Sequence, residues 1–201
     1  DTFNSTADVP RSAFAVHPWS IGGGGAAELK ESIEASTSNT LSKHADIGVG
    51  VVTLEDDVFH VPYDFVQRMK IPDQFARGFV VGDIIRDWHI TGMTPAIFPH
   101  DGKTFKPVAD PTVLRLLWPF RTGLSNRTWF RKTQIERGMK WFEYGHISAD
   151  KFRTSLSIAF AFVATHNHFV LDRGGNIFNR SAPIIKLRDG DSEDAHYSIL
   201  G

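Results

Sequence analysis

Ser157-Ile-Ala-Phe-Ala-Phe-Val-Ala-Thr-His-Asn-His-Phe-Val-Leu171, followed by Asp172-Arg-Gly-Gly-Asn176 and Ile177-Phe178, is the stretch that sets the fold class. Its β-branched and aromatic residues suit a pleated, half-buried surface. The run reads as one long strand, or two joined by a bend. Glycine reaches positive φ without steric cost, so Asp172–Asn176 reads as a hairpin turn, with Ile177–Phe178 starting the return. Downstream, Pro183–Leu187 is one more strand. Upstream, Ile47–Thr53 and Val58–Val61 read as strands flanking the acidic turn Leu54–Asp57, and Phe79–Val81 and Ala96–Phe98 as shorter ones. Helices are expected at Ala26–Ala35, at Tyr63–Met69 after Pro62, and at Asn126–Arg137, which Gly138 ends. Another begins after Ser192, whose side chain suits an N-cap. Together these predict an α+β fold, a mainly antiparallel mixed sheet with flanking helices and an irregular N-terminal arm.

The chain has 201 residues, 41% of them hydrophobic, enough to bury one core. Residues 1–45 read as an arm, a glycine-rich hinge (Gly22–Gly25) and a helix; residues 46–201 read as one domain, truncated at its C-terminal helix. Asp1 opens the sequence and the methionines are Met69, Met93 and Met139, so the reading is a piece of a longer protein. With no cysteine, disulfides and thiolate metal sites are excluded, which suits a reducing cytoplasm. No run approaches the ~20 apolar residues that a membrane helix needs.

Net charge is only −1, but its distribution is lopsided. Residues 1–60 carry nine acidic residues against three basic ones, whereas Arg115–Arg153 carries nine basic residues against three acidic ones. The basic stretch is interleaved with Trp118, Phe120, Trp129, Phe130, Trp141, Phe142 and Tyr144. Cations for phosphates beside flat rings for bases are the composition of a nucleic-acid surface, although most of these rings are large enough to be core. Along the expected helix, Arg127, Arg131, Lys132 and Arg137 form a basic face.

Other motifs carry less. Gly22–Gly25 lacks the Gly-Lys-Ser/Thr ending of a phosphate loop. In the acidic turn, at most Glu55 and Asp57 share a face, which fits a solvated turn better than a cation site. His166 and His168 fall on one face of the long strand, about 7 Å apart along the chain. A metal there needs a third ligand, and Asp172 lies beyond Val170 in the turn, so no metal is assigned.

Longer strings point further. Trp118-Pro-Phe-Arg-Thr122, Lys132-Thr-Gln-Ile-Glu-Arg-Gly138, Trp141-Phe-Glu-Tyr144 and the run from Leu156 to Asp172 resemble the adenine-specific DNA methyltransferase family of BREX phage-exclusion systems (PglX type). So do His17-Pro-Trp-Ser-Ile-Gly-Gly-Gly-Gly25, Glu55-Asp-Asp-Val-Phe59 and Phe178-Asn-Arg-Ser-Ala-Pro-Ile-Ile-Lys-Leu187. Members methylate adenine N6 in duplex DNA with S-adenosylmethionine, through an Asn-Pro-Pro-aromatic motif. This chain has no Asn-Pro dipeptide. The resemblance therefore implies the family's C-terminal, target-recognition part, without catalytic or cofactor-binding residues of its own; S-adenosylmethionine is expected in the missing methyltransferase domain.

Implied partners are duplex DNA, the parent's methyltransferase domain and other BREX proteins, in the bacterial cytoplasm. Arg127, Arg131, Lys132, Lys140 and Arg153 are expected to grip phosphates. Arg121, Thr122, Thr165, His166, Asn167 and His168 are expected to face base edges, with Asp172 and Arg173 at the hairpin tip. Two rival readings remain at this stage. One is a metal-dependent nuclease using His166 and His168; the other is a protein-interaction module docking through its acidic N-terminal part.

Overall fold

The structure, a computed structural model, describes residues 8, 11–15, 19, 25–188 and 192–200. It divides into two compact units, Asp1–Lys43 and His44–Gly201. In the first, Gly25 at φ 84° precedes the helix Ala26–Ser36, where Lys30 and Glu34 pair at 3.8 Å one turn apart. Gly22–Gly24, the rest of the expected hinge, lie outside the described residues, as does most of the arm. No helix among the described residues is long and apolar enough to cross a membrane.

The second unit is α+β, with several small and mostly antiparallel sheets. The largest has four strands in the order Ala45–Gly48, Ile184–Leu187, Ser157–Phe160, Phe169–Asp172, every pair antiparallel. Ile184–Leu187 lies inside the sheet and all four of its residues are buried, Lys186 included. The Lys186 ammonium is accommodated by donating to the main-chain oxygens of Thr154 and Leu156. A second sheet sets Ala76–Val80 between Thr94–Ile97, antiparallel, and Asn176–Phe178, parallel. Ile177 enters the larger core, with Phe59, Phe79, Phe98, Leu117, Phe142 and Tyr144; Phe178 enters the smaller, with Val80, Ile85, Val170 and Ile184. Alternation along one short strand thus joins the two cores.

Four local expectations are corrected. Residues 157–171 form two strands, Ser157–Phe160 and Phe169–Asp172, and residues 161–168 are a loop between them, so Thr165, His166, Asn167 and His168 do not sit in a strand. Asp172–Asn176 turns, with Gly174 at φ 102° and Gly175 at φ 92°, but it is no hairpin. The buried Asp172 carboxylate accepts from the Gly174 N–H (3.0 Å) and the Asn176 amide (2.6 Å), and the chain leaves into the other sheet, where Ile177 and Phe178 find their cores.

Asp56–Phe59 is helical, across the end of the expected acidic turn and the start of the strand expected at Val58–Val61. Thr53 Oγ1 accepts from the Glu55 N–H and donates to Asp56 Oδ1, and Asp56 and Asp57 place negative charge in the first turn, where the helix dipole favours it.

The helix expected at 126–137 is the largest correction. A helix spans Arg121–Asn126, the chain turns extended at Arg127 (φ −55°, ψ 135°), and Thr128–Trp129 pairs with Lys132–Thr133 as a tight hairpin. Thr128 and Trp129 favour strand, and Trp129 stacks flat on His146 with ring centres 6.1 Å apart. The basic helical face therefore does not exist.

Near the centre of the larger core, Tyr144 donates its hydroxyl to Ile97 O (2.7 Å) and its N–H to His100 Nε2 (3.1 Å), with Phe59 and Phe98 packed edge-on around it. Burial raises the Tyr144 hydroxyl well above its ordinary value and lowers His100 from 6.5 to about 4. The folded state therefore binds fewer protons at His100 than the unfolded chain does between those pH values. Stability from this group is complete above pH 6.5 and drains away towards pH 4, by up to about 3 kcal/mol. Asp172, raised by its burial, acts in the opposite direction and offsets part of the loss. Urea unfolding at a series of pH values should show stability declining over this window, and a His100→Gln protein, whatever its absolute stability, should show a flatter slope there.

Candidate nucleic-acid interface

Arg127 is the residue that the sequence misassigns most. Only 5% exposed, it donates from Nε to Leu124 O (2.9 Å), from Nη1 to Thr53 O, and from Nη2 to Trp141 O (3.0 Å) and Glu143 O (2.6 Å). Its guanidinium carbon also stands 5.4 Å from the Phe59 ring centre. Burial lowers its pKa to about 10, which leaves it charged at neutral pH. Gln134, fully buried, donates to Glu143 O (3.2 Å) alongside it. Arg127 is therefore a structural tie between three segments of chain and has no face left for a phosphate.

With Arg127 turned inward, its neighbours are presented outward. Arg121 starts its short helix exposed, with its guanidinium 5.0 Å from the Trp118 ring centre, and Thr122 beside it is exposed too. Trp118 packs edge-on against Trp141, whose carbonyl Arg127 holds. At the hairpin tip, Phe130 (φ 49°) and Arg131 (φ 67°) both take left-handed backbone, the geometry of a two-residue turn that glycine and asparagine usually fill. Phe130 is 85% exposed and packs edge-to-face with Trp129, ring centres 5.3 Å apart, while Arg131 and Lys132 are exposed beside it. An apolar ring held in left-handed backbone beside two cations is costly to display, which makes the tip a candidate contact surface.

The remaining expected contacts divide. Lys140 is exposed. Arg153 is tied to Asp150 O and Leu187 O at 3.0 Å each and lies 3.6 Å from Asp46, so its charge is partly spent within the fold. Thr165, His166 and Asn167 are exposed in the loop 161–168, together with Phe162 and Val163. Three expected contacts are already engaged within the fold. His168 is 5% exposed and accepts from the Asp87 N–H; Asp172 is buried and builds its own turn; Arg173 makes a forked contact with Glu193 and donates to the Tyr197 hydroxyl, fastening the turn to the helix Glu193–Leu200. Sequence reasoning did not single out Phe130 from a set of rings read mostly as core, nor Asp87, which only the fold brings beside the histidines.

Against known proteins, the chain is 37% identical over 193 residues to the adenine-specific methyltransferase PglX of Streptomyces coelicolor. The chain matches a fragment of that family. The match takes in 94% of this chain and 16% of the relative, so the chain spans about a sixth of that protein's length. No family model matches the chain. Among solved structures, it is similar to the Type IIL restriction-modification enzyme MmeI, solved in complex with DNA, with a TM-score of 0.54 and 17% identity over 82% of this chain and 21% of that one. This likeness establishes the fold class as one found within a restriction-modification enzyme.

Arg127→Ala should therefore lower stability by about 3 kcal/mol in urea unfolding, because it leaves buried carbonyls without donors. Arg127→Lys should recover only part of this, since an ammonium cannot reproduce the planar fork. A phosphate-gripping arginine would instead leave the unfolding midpoint unchanged.

Proposed function

We propose that the chain is a duplex-DNA recognition module of an N6-adenine DNA methyltransferase acting in BREX-type phage defence, the family's C-terminal target-recognition part. The observation that carries this reading is the exposed cluster of Arg121, Arg131, Lys132, Trp118 and Phe130, set on a scaffold that the inward-turned Arg127 holds. Sequence similarity to an adenine-specific methyltransferase and the fold shared with an enzyme solved on DNA support it.

In this reading Arg121, Arg131, Lys132 and Lys140 grip phosphates and set register, at a cost in affinity as salt rises. Phe130, rigid and apolar at a protruding tip, packs on a base or wedges at a base step. Thr122 and, from the loop 161–168, Thr165, His166 and Asn167 are offered to base edges, where hydrogen-bond patterns distinguish sequences. The parent's methyltransferase domain binds S-adenosylmethionine and takes the target base out of the stack, in the bacterial cytoplasm and alongside other BREX proteins. None of this chain's residues is assigned to that chemistry.

Fluorescence anisotropy with duplex DNA tests the assignment. Replacing Arg121, Arg131 and Lys132 together by alanine should weaken binding and flatten the log–log salt slope by about one unit for each phosphate left without its cation. Phe130→Ala should cost about ten-fold in affinity while leaving the unfolding midpoint unchanged. Binding and slope that stay the same in both proteins would overturn the proposed surface.

A further inference from the structure

We propose that Asp87, His166 and His168 form a binding site for a divalent transition metal, Zn²⁺ by the chemistry of its donors. The reading of His166-x-His168 as a chelating pair lacked only a third ligand. The fold supplies it from 79 residues upstream: the tight hairpin of Ile85–Arg86 with His89–Ile90 carries Asp87 in its turn, and one donor atom from each of the three side chains lies within 4.8 Å of the others. The two imidazoles are 4.3 Å apart between ring centres.

The local geometry offers a cation a place. His168 Nδ1 accepts from the Asp87 main-chain N–H at 3.3 Å, so its lone pair points at Asp87; yet a carboxylate oxygen of the same residue stands 3.2 Å from that nitrogen. A nitrogen that is accepting has no proton to offer, and the carboxylate faces another acceptor. A metal ion at Nδ1 would take the ring lone pair from the long 3.3 Å contact with the Asp87 N–H and bond the carboxylate oxygen as well, so that both acceptors face a cation. His166 Nδ1 meets the Thr165 hydroxyl at 3.1 Å, which leaves Nε2 as the nitrogen open to a metal.

Two imidazoles and a carboxylate are a borderline-soft set that suits zinc, with water completing the tetrahedron. Zinc-ligand distances place tetrahedral donors about 3.3 Å apart, so the group contracts by at most about 1.5 Å, within reach of the exposed His166 and Asp87. Because His168 is buried and Asp87 belongs to a hairpin, the ion would pin the loop 161–168 to the body of the domain. Its role is to order that loop, and with His166 committed to the ion the loop's offer to base edges rests on Thr165 and Asn167.

Zinc titrated into the metal-free 201-residue chain, in competition with a chromophoric chelator, tests the site. Asp87 and His166 are exposed, and asparagine tolerates the positive φ of 43° at residue 87, so Asp87→Asn and His166→Ala retain the fold, which far-UV circular dichroism verifies. One zinc ion per chain is expected, with affinity falling about ten-fold or more in each variant, and with zinc slowing proteolysis within residues 161–167. Absence of one-to-one binding overturns the proposal. So does zinc affinity that either variant leaves unchanged, which would mark adventitious binding to other surface histidines.

Discussion

The guanidinium of Arg127 determines how the basic half of this molecule is arranged. It is a charge taken out of water, and its desolvation is tolerable only because main-chain oxygens from residues 53, 124, 141 and 143 converge on it. Regular pairing between those segments is limited to the two-residue ladder of Val51–Val52 with His146–Ile147. The segment 139–145 has neither helix nor strand, and its order comes from Arg127, from Gln134 and from the Tyr144 side chain anchored on Ile97. One buried cation thus extends the hold of that short ladder into a stretch without regular structure.

The outward consequence follows from the inward one. Because the chain turns extended at Arg127, the helix Arg121–Asn126 ends there and a two-residue hairpin begins, which lifts Phe130 and Arg131 away from the core. Trp118 and Trp141, which composition alone could assign either to stacking platforms or to core, take an intermediate position: they pack on each other, and Trp118 supports Arg121 from below. The scaffold and the surface therefore share side chains. A change to the scaffold would shift the displayed cations without touching any of them.

Much of the fold was legible from local signals. The strand at 184–187, the end of the strand 76–80, the helix after Pro62 and the left-handed turn at Gly174 and Gly175 arise from propensities that act over a few residues. Where local reading failed, competing long-range interactions had prevailed. The helical pattern at 126–137 lost to burial of Arg127 and stacking of Trp129; the apparent hairpin at 172–176 lost to the separate burial of Ile177 and Phe178 in two cores. Among the candidate contacts, Arg121, Thr122, Arg131, Lys132, Lys140, Thr165, His166 and Asn167 are exposed, while Arg127, His168, Asp172 and Arg173 were already occupied by partners far along the chain or by their own turn.

By itself the sequence determined the α+β class, the concentration of positive charge between residues 115 and 153, and the family resemblance, because composition, short-range propensity and ordered strings of residues are properties of the chain alone. Tertiary structure alone decided which cations face water, which rings are displayed, and that Asp87 meets His166 and His168. The reason is solvation. Whether an arginine serves the fold or the surface depends on which carbonyls surround it, and the oxygens that claim Arg127 come from residues as distant as Thr53, whose approach no local pattern around position 127 encodes.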